Sequence, residues 1–271
     1  MTIIMLGDVV GESGLLVLEE TLRHLIEKNK ADFTIVNGEN AAGGFGLTRE
    51  TLDRILAAGA DLVTGGNHIW EKREFWKVME SAELPDCKAV LRPANYPVIK
   101  DNDNKNIIPG RGFLVLSKNG LSAAVINLQG RELMTPIDCP FSSFDSIFNS
   151  LTAECAGIPI IVDFHAESAE EKEALAYYLD GRASIVAGTH THVQTADERI
   201  LPRGTAYITD LGMTGTMNGI IGMDKDICMS RALTQVTYRK ECSNDRENCK
   251  VQGIVVELDD KKRAVNIKRI N

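Results

Sequence analysis

Five short polar clusters carry metal-binding residue types, and each lies at the end of an apolar, strand-like run. Gly7-Asp8 follows Ile3-Ile4-Met5-Leu6, Asn37-Gly38-Glu39-Asn40 follows Phe33-Thr34-Ile35-Val36, and Gly65-Gly66-Asn67-His68 follows Leu62-Val63-Thr64. Asp163-Phe164-His165 follows Ile160-Ile161-Val162, and Gly188-Thr189-His190-Thr191-His192 follows Ile185-Val186-Ala187. Four of the five histidines stand in these clusters. Open α/β sheets bind ligands in loops at the carboxyl ends of their strands, so the clusters are candidates for one shared site. Carboxylate, amide and imidazole donors together suit borderline divalent metals such as Mn, Fe and Zn. Two adjacent metals make a water nucleophilic at neutral pH and clamp both oxygens of an in-line phosphoryl displacement.

Taken singly, each cluster also has a plainer reading. Asp8 fits an ordinary turn after Gly7, and Glu39 with Asn40 fits a polar glycine turn. Asn67 fits a helix cap beside a packed His68, and His165 fits a core histidine. His190 and His192 are the most specific pair, because residues i and i+2 of an extended segment point the same way and both imidazoles can face one site. Within the joint reading, the Glu39 carboxylate suits a bridge between metals and the Asn40 amide a neutral ligand. Asn67 ligates through its amide oxygen, which leaves His68 free as an acid near a leaving group.

The elements that must position these groups alternate. A strand at 2–6 precedes a helix over about 14–29, where Leu15, Leu18, Leu22, Leu25 and Ile26 recur at helical spacing. A strand at 32–36 leads through Gly43-Gly44-Phe45-Gly46 to a helix capped by Thr48 and running to about Ala58. A strand at 61–64 precedes a helical stretch at 71–81. This β-α-β-α-β order predicts a largely parallel sheet with helices on both faces. Residues 84–112, rich in proline and polar side chains, read as a loop-rich excursion forming a small cap. Strands are expected at 113–117 and 121–127, a Pro-rich loop at 134–142 and a helix at 143–153. Ser168 with Glu171 makes a capping box ahead of Leu175, Tyr178 and Leu179. The end of the chain reads as β-rich, with strands at 205–209, 232–238, 252–258 and 263–270.

Composition limits the function classes. The chain has 271 residues, 44% of them hydrophobic, and a mean hydropathy of −0.10, which suits a soluble globular protein with a large core. No apolar run approaches the roughly 20 residues that span a bilayer, and no basic-then-apolar leader opens the sequence. A cytoplasmic location and no membrane partner are therefore expected. Net charge is −8, which opposes general nucleic-acid binding; small phosphorylated substrates remain compatible, because bound metals supply local positive charge. The six cysteines form no C-x-x-C pair. Cys242 and Cys249 bracket a polar loop, and a cytosolic setting favours free thiols over their pairing.

In chain order, Gly7-Asp8, Gly38-Glu39-Asn40, Gly66-Asn67-His68, His165 and Gly188-Thr189-His190-Thr191-His192 resemble the motifs of calcineurin-like metallophosphoesterases. The bacterial YmdB-like branch is the closer match. In that branch the usual Gly-Asp-x-x-Asp bridging motif looks like Asn-Gly-Glu-Asn, as at 37–40. Leu91-Arg92-Pro93-Ala94-Asn95-Tyr96-Pro97, Asp163-Phe164-His165-Ala166-Glu167 and Asp210-Leu211-Gly212-Met213-Thr214-Gly215 look like it too. Where many members of the wider superfamily carry a histidine two residues after the first Asp, this chain has Val10, and the resemblance implies that Asn40 takes that coordination position. By the same resemblance, one metal sees Asp8, Glu39, Asn40 and His192. The other sees Glu39, Asn67, His165 and His190, with Glu39 bridging.

The fold implied is α/β, a four-layer αββα sandwich of the metallophosphoesterase type. It is expected as a single domain over 1–271, with the small cap insertion at about 71–112. The function implied is a dinuclear-metal phosphodiesterase acting on cyclic nucleotides, chiefly 2′,3′-cyclic with 3′,5′-cyclic as a further class. A metal-bridging hydroxide attacks phosphorus, and His68 serves the leaving group. Iron or manganese is expected over zinc, since no ligand is a thiolate and several are oxygen donors. A small phosphodiester is the expected partner, and a homo-oligomer is compatible with the sequence. A ribonuclease or phosphomonoesterase of the same fold, or a regulatory protein with structural metals, are the rival readings. A dinuclear amidohydrolase fits the order of the motifs poorly.

Overall fold

The computed structural model describes residues 1–80, 89–103, 106–154, 157–243 and 245–271. The first sheet is built on β1 (Thr2–Leu6), β3 (Phe33–Asn37), β4 (Leu62–Thr64) and β5 (Val90–Leu91). These four strands run parallel, and the antiparallel β14 (Gly253–Leu258) and β15 (Ala264–Ile270) extend the sheet beyond β1. A second six-stranded sheet has a parallel centre of β7 (Leu121–Gln129), β8 (Ile160–His165), β9 (Ile185–Thr189) and β11 (Ala206–Ile208). Its antiparallel edges are β6 (Phe113–Lys118) and β10 (Arg199–Ile200).

The two sheets face each other because their strands are apolar on both sides. Ile3 and Met5 of β1 join Phe33, Ile35, Ile161, Ile185 and Ile208 in a core between the sheets. Ile4 and Leu6 point the other way, onto Leu15, Leu18 and Leu22 of α1 (Gly11–Asn29) and Leu52 and Ile55 of α2 (Arg49–Ala58). On the far side, Ile126, Val162 and Val186 meet Phe144 of α4 (Pro140–Glu154) and Leu175 and Leu179 of α5 (Ala169–Leu179). Period-two alternation on strands buried on both faces thus produces four layers, αββα.

Several local expectations change. α1 starts at Gly11, directly after the two-residue β2 (Asp8–Val9), which pairs with β12 (Met213–Thr216) in a small three-stranded sheet completed by β13 (Cys249–Val251). α4 begins inside the expected Pro-rich loop because Pro140 is tolerated in a first helical turn. Thr48 does cap α2, through a reciprocal box with Thr51. The box expected at Ser168 is half formed. Its hydroxyl accepts from Glu171 N, but the buried Glu171 carboxylate turns away to accept the Arg131 and Glu132 N–H groups. Tyr178 is exposed and donates its hydroxyl to Asp145.

The strand expected at 232–238 is absent. Residues Lys225–Thr234 form helix α6, and 235–240 have no regular structure. Local signals set the structure here: Asp224 caps the helix by accepting from Asp226 N and Ile227 N, and Gln235 ends it in a left-handed conformation. Within the stretch 71–112, Arg73–Glu80 is helix α3 and β5 belongs to the first sheet, while 81–88 and 104–105 lie outside the described residues. Among the described residues no helix is long and apolar enough to cross a membrane. Cys242 and Cys249 are free thiols; Cys87 and Cys155 lie outside the described residues.

Candidate metal centre

Parallel pairing aligns the carboxyl ends of β1, β3 and β4 in one sheet and of β8 and β9 in the other, and the contacts of Glu39 and Asn67 with His165 put both sets at the same end of the sandwich. Asp8, Glu39, Asn40, Asn67, His165, His190 and His192 converge there, and His68 stands beside them. Two close approaches set the frame. Gly7 runs against Gly212, where any Cβ would strike the Gly212 carbonyl oxygen; at Gly66 a Cβ would strike the His165 ring and Glu39 Oε2. Glycine is required at both positions by space.

His165 Nε2 is the meeting point of one half of the site. It lies 2.8 Å from Glu39 Oε1, 3.1 Å from Asn67 Oδ1 and 3.0 Å from His190 Nδ1. One ring nitrogen can satisfy only one such neighbour with a proton, whereas a cation among them is satisfied by all four atoms. Glu39, His165 and His190 each place a ligand atom within 4.8 Å of the others. The other half gathers on Asn40, whose Nδ2 lies 3.3 Å from Asp8 Oδ1, 3.5 Å from Glu39 Oε1 and 3.2 Å from His192 Nε2. Asn40 Oδ1 is buried with no hydrogen-bond partner. Turning the amide over places that oxygen among the same three atoms, which is the arrangement a cation demands.

The groups behind the donors fix their direction. His165 Nδ1 meets Thr189 Oγ1 at 2.9 Å, and Thr189 Oγ1 donates to Asp163 Oδ1 at 2.7 Å. His192 Nδ1 donates to the Ile221 carbonyl at 2.9 Å, and His190 Nε2 faces Glu167 at 3.1 Å. Each imidazole therefore has one nitrogen anchored outside and the other turned inward, the usual arrangement of metal-ligating histidines. Asp163 also accepts from Asn37 and Thr64, so one buried carboxylate ties β3, β4 and β9 together beneath the site. The left-handed region holds His190 at φ 105° and His192 at φ 64°, a conformation non-glycine residues seldom adopt. It is held by the Asp8 carboxylate accepting His190 N–H and by Asp210 accepting Thr191 N–H. The expectation of an extended H-x-H pair is corrected here: the two rings reach one site through a tight turn.

Electrostatics favour a cation. Asp8 and Glu39 are fully buried. Burial alone would raise the Asp8 carboxyl, but hydrogen bonding and charge from His192 outweigh it and hold it well below the usual range. Burial likewise opposes the Glu39 charge, and His165 overcomes it. Burial pushes His190 down to about 3, helped by the neighbouring His165 charge. Two buried carboxylates among neutralisable imidazoles need positive charge between them, and the donor set fits divalent metal. His68 differs from the rest. Its backbone N–H donates to Glu39 Oε2 at 3.0 Å, while its ring turns outward, edge-on to Phe45 at 5.0 Å between centroids.

An αββα sandwich with these donors at its strand ends defines a protein of the metallophosphoesterase class. More narrowly, the chain belongs to the family of YmdB-like proteins, whose sequence model matches residues 4–270. It is 45% identical to the 2′,3′-cyclic-nucleotide 2′-phosphodiesterase of Bacillus subtilis, over 100% of this chain and 96% of that protein. A hypothetical protein from Thermus thermophilus superposes with a TM-score of 0.88 at 38% identity, covering 99% of this chain and 98% of that one. A novel phosphatase from Mycoplasma pneumoniae superposes with a TM-score of 0.87 at 32% identity, covering 100% and 92%.

Sequence reading missed the anchoring groups. Asp163, Glu167, Thr189 and Asp210 stand inside the family-like motifs but with no local sign of an anchoring role, and Lys172 and the Ile221 carbonyl carry no signal at all.

Proposed function

We propose that the protein is a dinuclear-metal phosphodiesterase that opens 2′,3′-cyclic nucleotides. The observation that carries this reading is the convergence of Glu39 Oε1, Asn67 Oδ1 and His190 Nδ1 on His165 Nε2, beside a second group of Asp8, Asn40 and His192. The name of the Bacillus subtilis relative supports the substrate class. Asp8, Glu39, Asn40 and His192 would hold one divalent ion, and Glu39, Asn67, His165 and His190 the other, with iron or manganese favoured by the oxygen-rich, thiolate-free set. The bound ions supply positive charge and an activated water at neutral pH.

Water adds across the P–O2′ bond; the ribose O2′ leaves with a proton, and a 3′-phosphate monoester remains with release of one proton. The chain's own contribution is position. Asp163 and Thr189 fix the His165 ring, Glu167 and the Ile221 carbonyl fix the other two, and the buried walls exclude bulk water. His68 would protonate or hydrogen-bond the leaving O2′, a role supported by its ring lining the opening and its backbone N–H bonded to Glu39.

The test is Glu39→Gln, with metal content and turnover of adenosine 2′,3′-cyclic phosphate measured on the same preparation. Loss of turnover together with loss of metal, and an unchanged far-UV spectrum, is expected. Near-normal turnover with two metals per chain would overturn the bridging role.

A further inference from the structure

The metal-side cavity, about 240 Å³, opens past Phe45, His68 and Lys240 into a larger outer cleft of about 890 Å³. Lys72, Arg231, Arg239 and Lys240 line that cleft, opposed by the carboxylates of Glu71 and Glu241. Among the described residues none of the four cations meets a carboxylate within ion-pair distance, although the chain carries a net charge of −8. Arg231 lies on α6, a helix with no buried residue, and Arg239 and Lys240 follow it on a segment without regular structure. Unpaired cations gathered at one cleft of an acidic protein are a footprint for anionic ligand. A cyclic mononucleotide has a single phosphate, and that phosphate belongs at the metal donors. The outer cations are left for further phosphates.

We infer that the outer cleft binds the sugar–phosphate chain of an RNA fragment whose 3′ end carries the 2′,3′-cyclic phosphate, so that the preferred substrate is an oligonucleotide end. The inference rests on the phosphodiesterase reading above and extends it to the substrate's size. The reaction is the same opening of the P–O2′ bond. Phosphates 5′ to the reacting end lie along Arg231, Arg239 and Lys72, with Lys240 at the passage between the two cavities. Phe45, at that same passage, offers a ring on which the terminal base stacks, a contact tolerant of base identity. End recognition of this kind needs only a local cationic strip, which agrees with the absence of overall basic charge.

The experiment uses metal-loaded enzyme and compares kcat/KM for adenosine 2′,3′-cyclic phosphate and for a tetra-adenylate ending in a 2′,3′-cyclic phosphate. The oligonucleotide should be preferred at 50 mM salt. Each single-strand phosphate neutralised adds about 0.7 to the log–log salt slope, so two such contacts predict a preference that falls about 7-fold between 50 and 200 mM salt. In R231E/R239E the preference should collapse towards unity and lose its salt dependence. α6 buries no side chain and Arg239, beyond it, is exposed, so the exchange spares the core, and the wild-type salt series stands independently of the variant. Equal or poorer use of the oligonucleotide by the wild type would overturn the inference and leave the phosphodiesterase reading intact, as would a preference unchanged in the variant. Failure of the loaded enzyme to open the mononucleotide would instead strike the phosphodiesterase reading itself.

Discussion

Lys172 and Asp210 form an ion pair at 2.8 Å with each side chain only 1% exposed, and the same Asp210 oxygen accepts the Thr191 N–H at 3.1 Å. The pair therefore holds the turn that carries His190 and His192. Removing one partner of a buried pair strands the other charge, which costs roughly 3–5 kcal/mol. Lys172→Met should lower the urea midpoint by a corresponding amount and weaken metal retention. A midpoint within experimental scatter of the wild type would remove the pair from any supporting role.

Gly66 tests the fit of the donors. A Cβ at this position would press on both the His165 ring and Glu39 Oε2, and neither can retreat, since His165 is pinned by Thr189 and Glu39 by the His68 N–H. Gly66→Ala should fold but bind metal at least tenfold more weakly, as read by competition with a chelator. Wild-type metal affinity would mean that the gathered atoms do not share an ion.

The two histidines of the turn should separate by metal. His190 faces His165, whereas His192 faces Asp8 and Asn40. His190→Ala and His192→Ala should each reduce metal content towards one per chain in elemental analysis. Full occupancy in both variants would return the pair to a role in the fold.

His68 should separate chemistry from metal binding. A proton donor to a leaving alkoxide contributes about 10²–10⁴-fold to rate. His68→Ala should keep its metals and lose most turnover on a cyclic nucleotide, but lose much less on bis(p-nitrophenyl) phosphate, whose leaving group needs little protonation. Equal losses on both substrates would point to positioning, and lost metal would make His68 a ligand.

The residue order determined which donors stand at strand ends. Each of the seven candidate ligands ends an apolar run or follows one closely, and parallel pairing aligns those ends within each sheet, while the packing of the two sheets brings the two sets together. The same apolar runs determined the layers, because strands such as Ile3-Ile4-Met5-Leu6 have no polar face to leave in water. Tertiary structure decided what stands behind the donors. Thr189 serves His165, Ile221 serves His192 and Lys172 steadies Thr191 through contacts between distant segments, for which local sequence carries no periodic or capping signal. It also decided the segment from Lys225 to Lys240, where a strand was expected at 232–238. The Asp224 cap and the Gln235 terminus set a helix over its first part instead, and Arg231, Arg239 and Lys240 came to line the outer cleft.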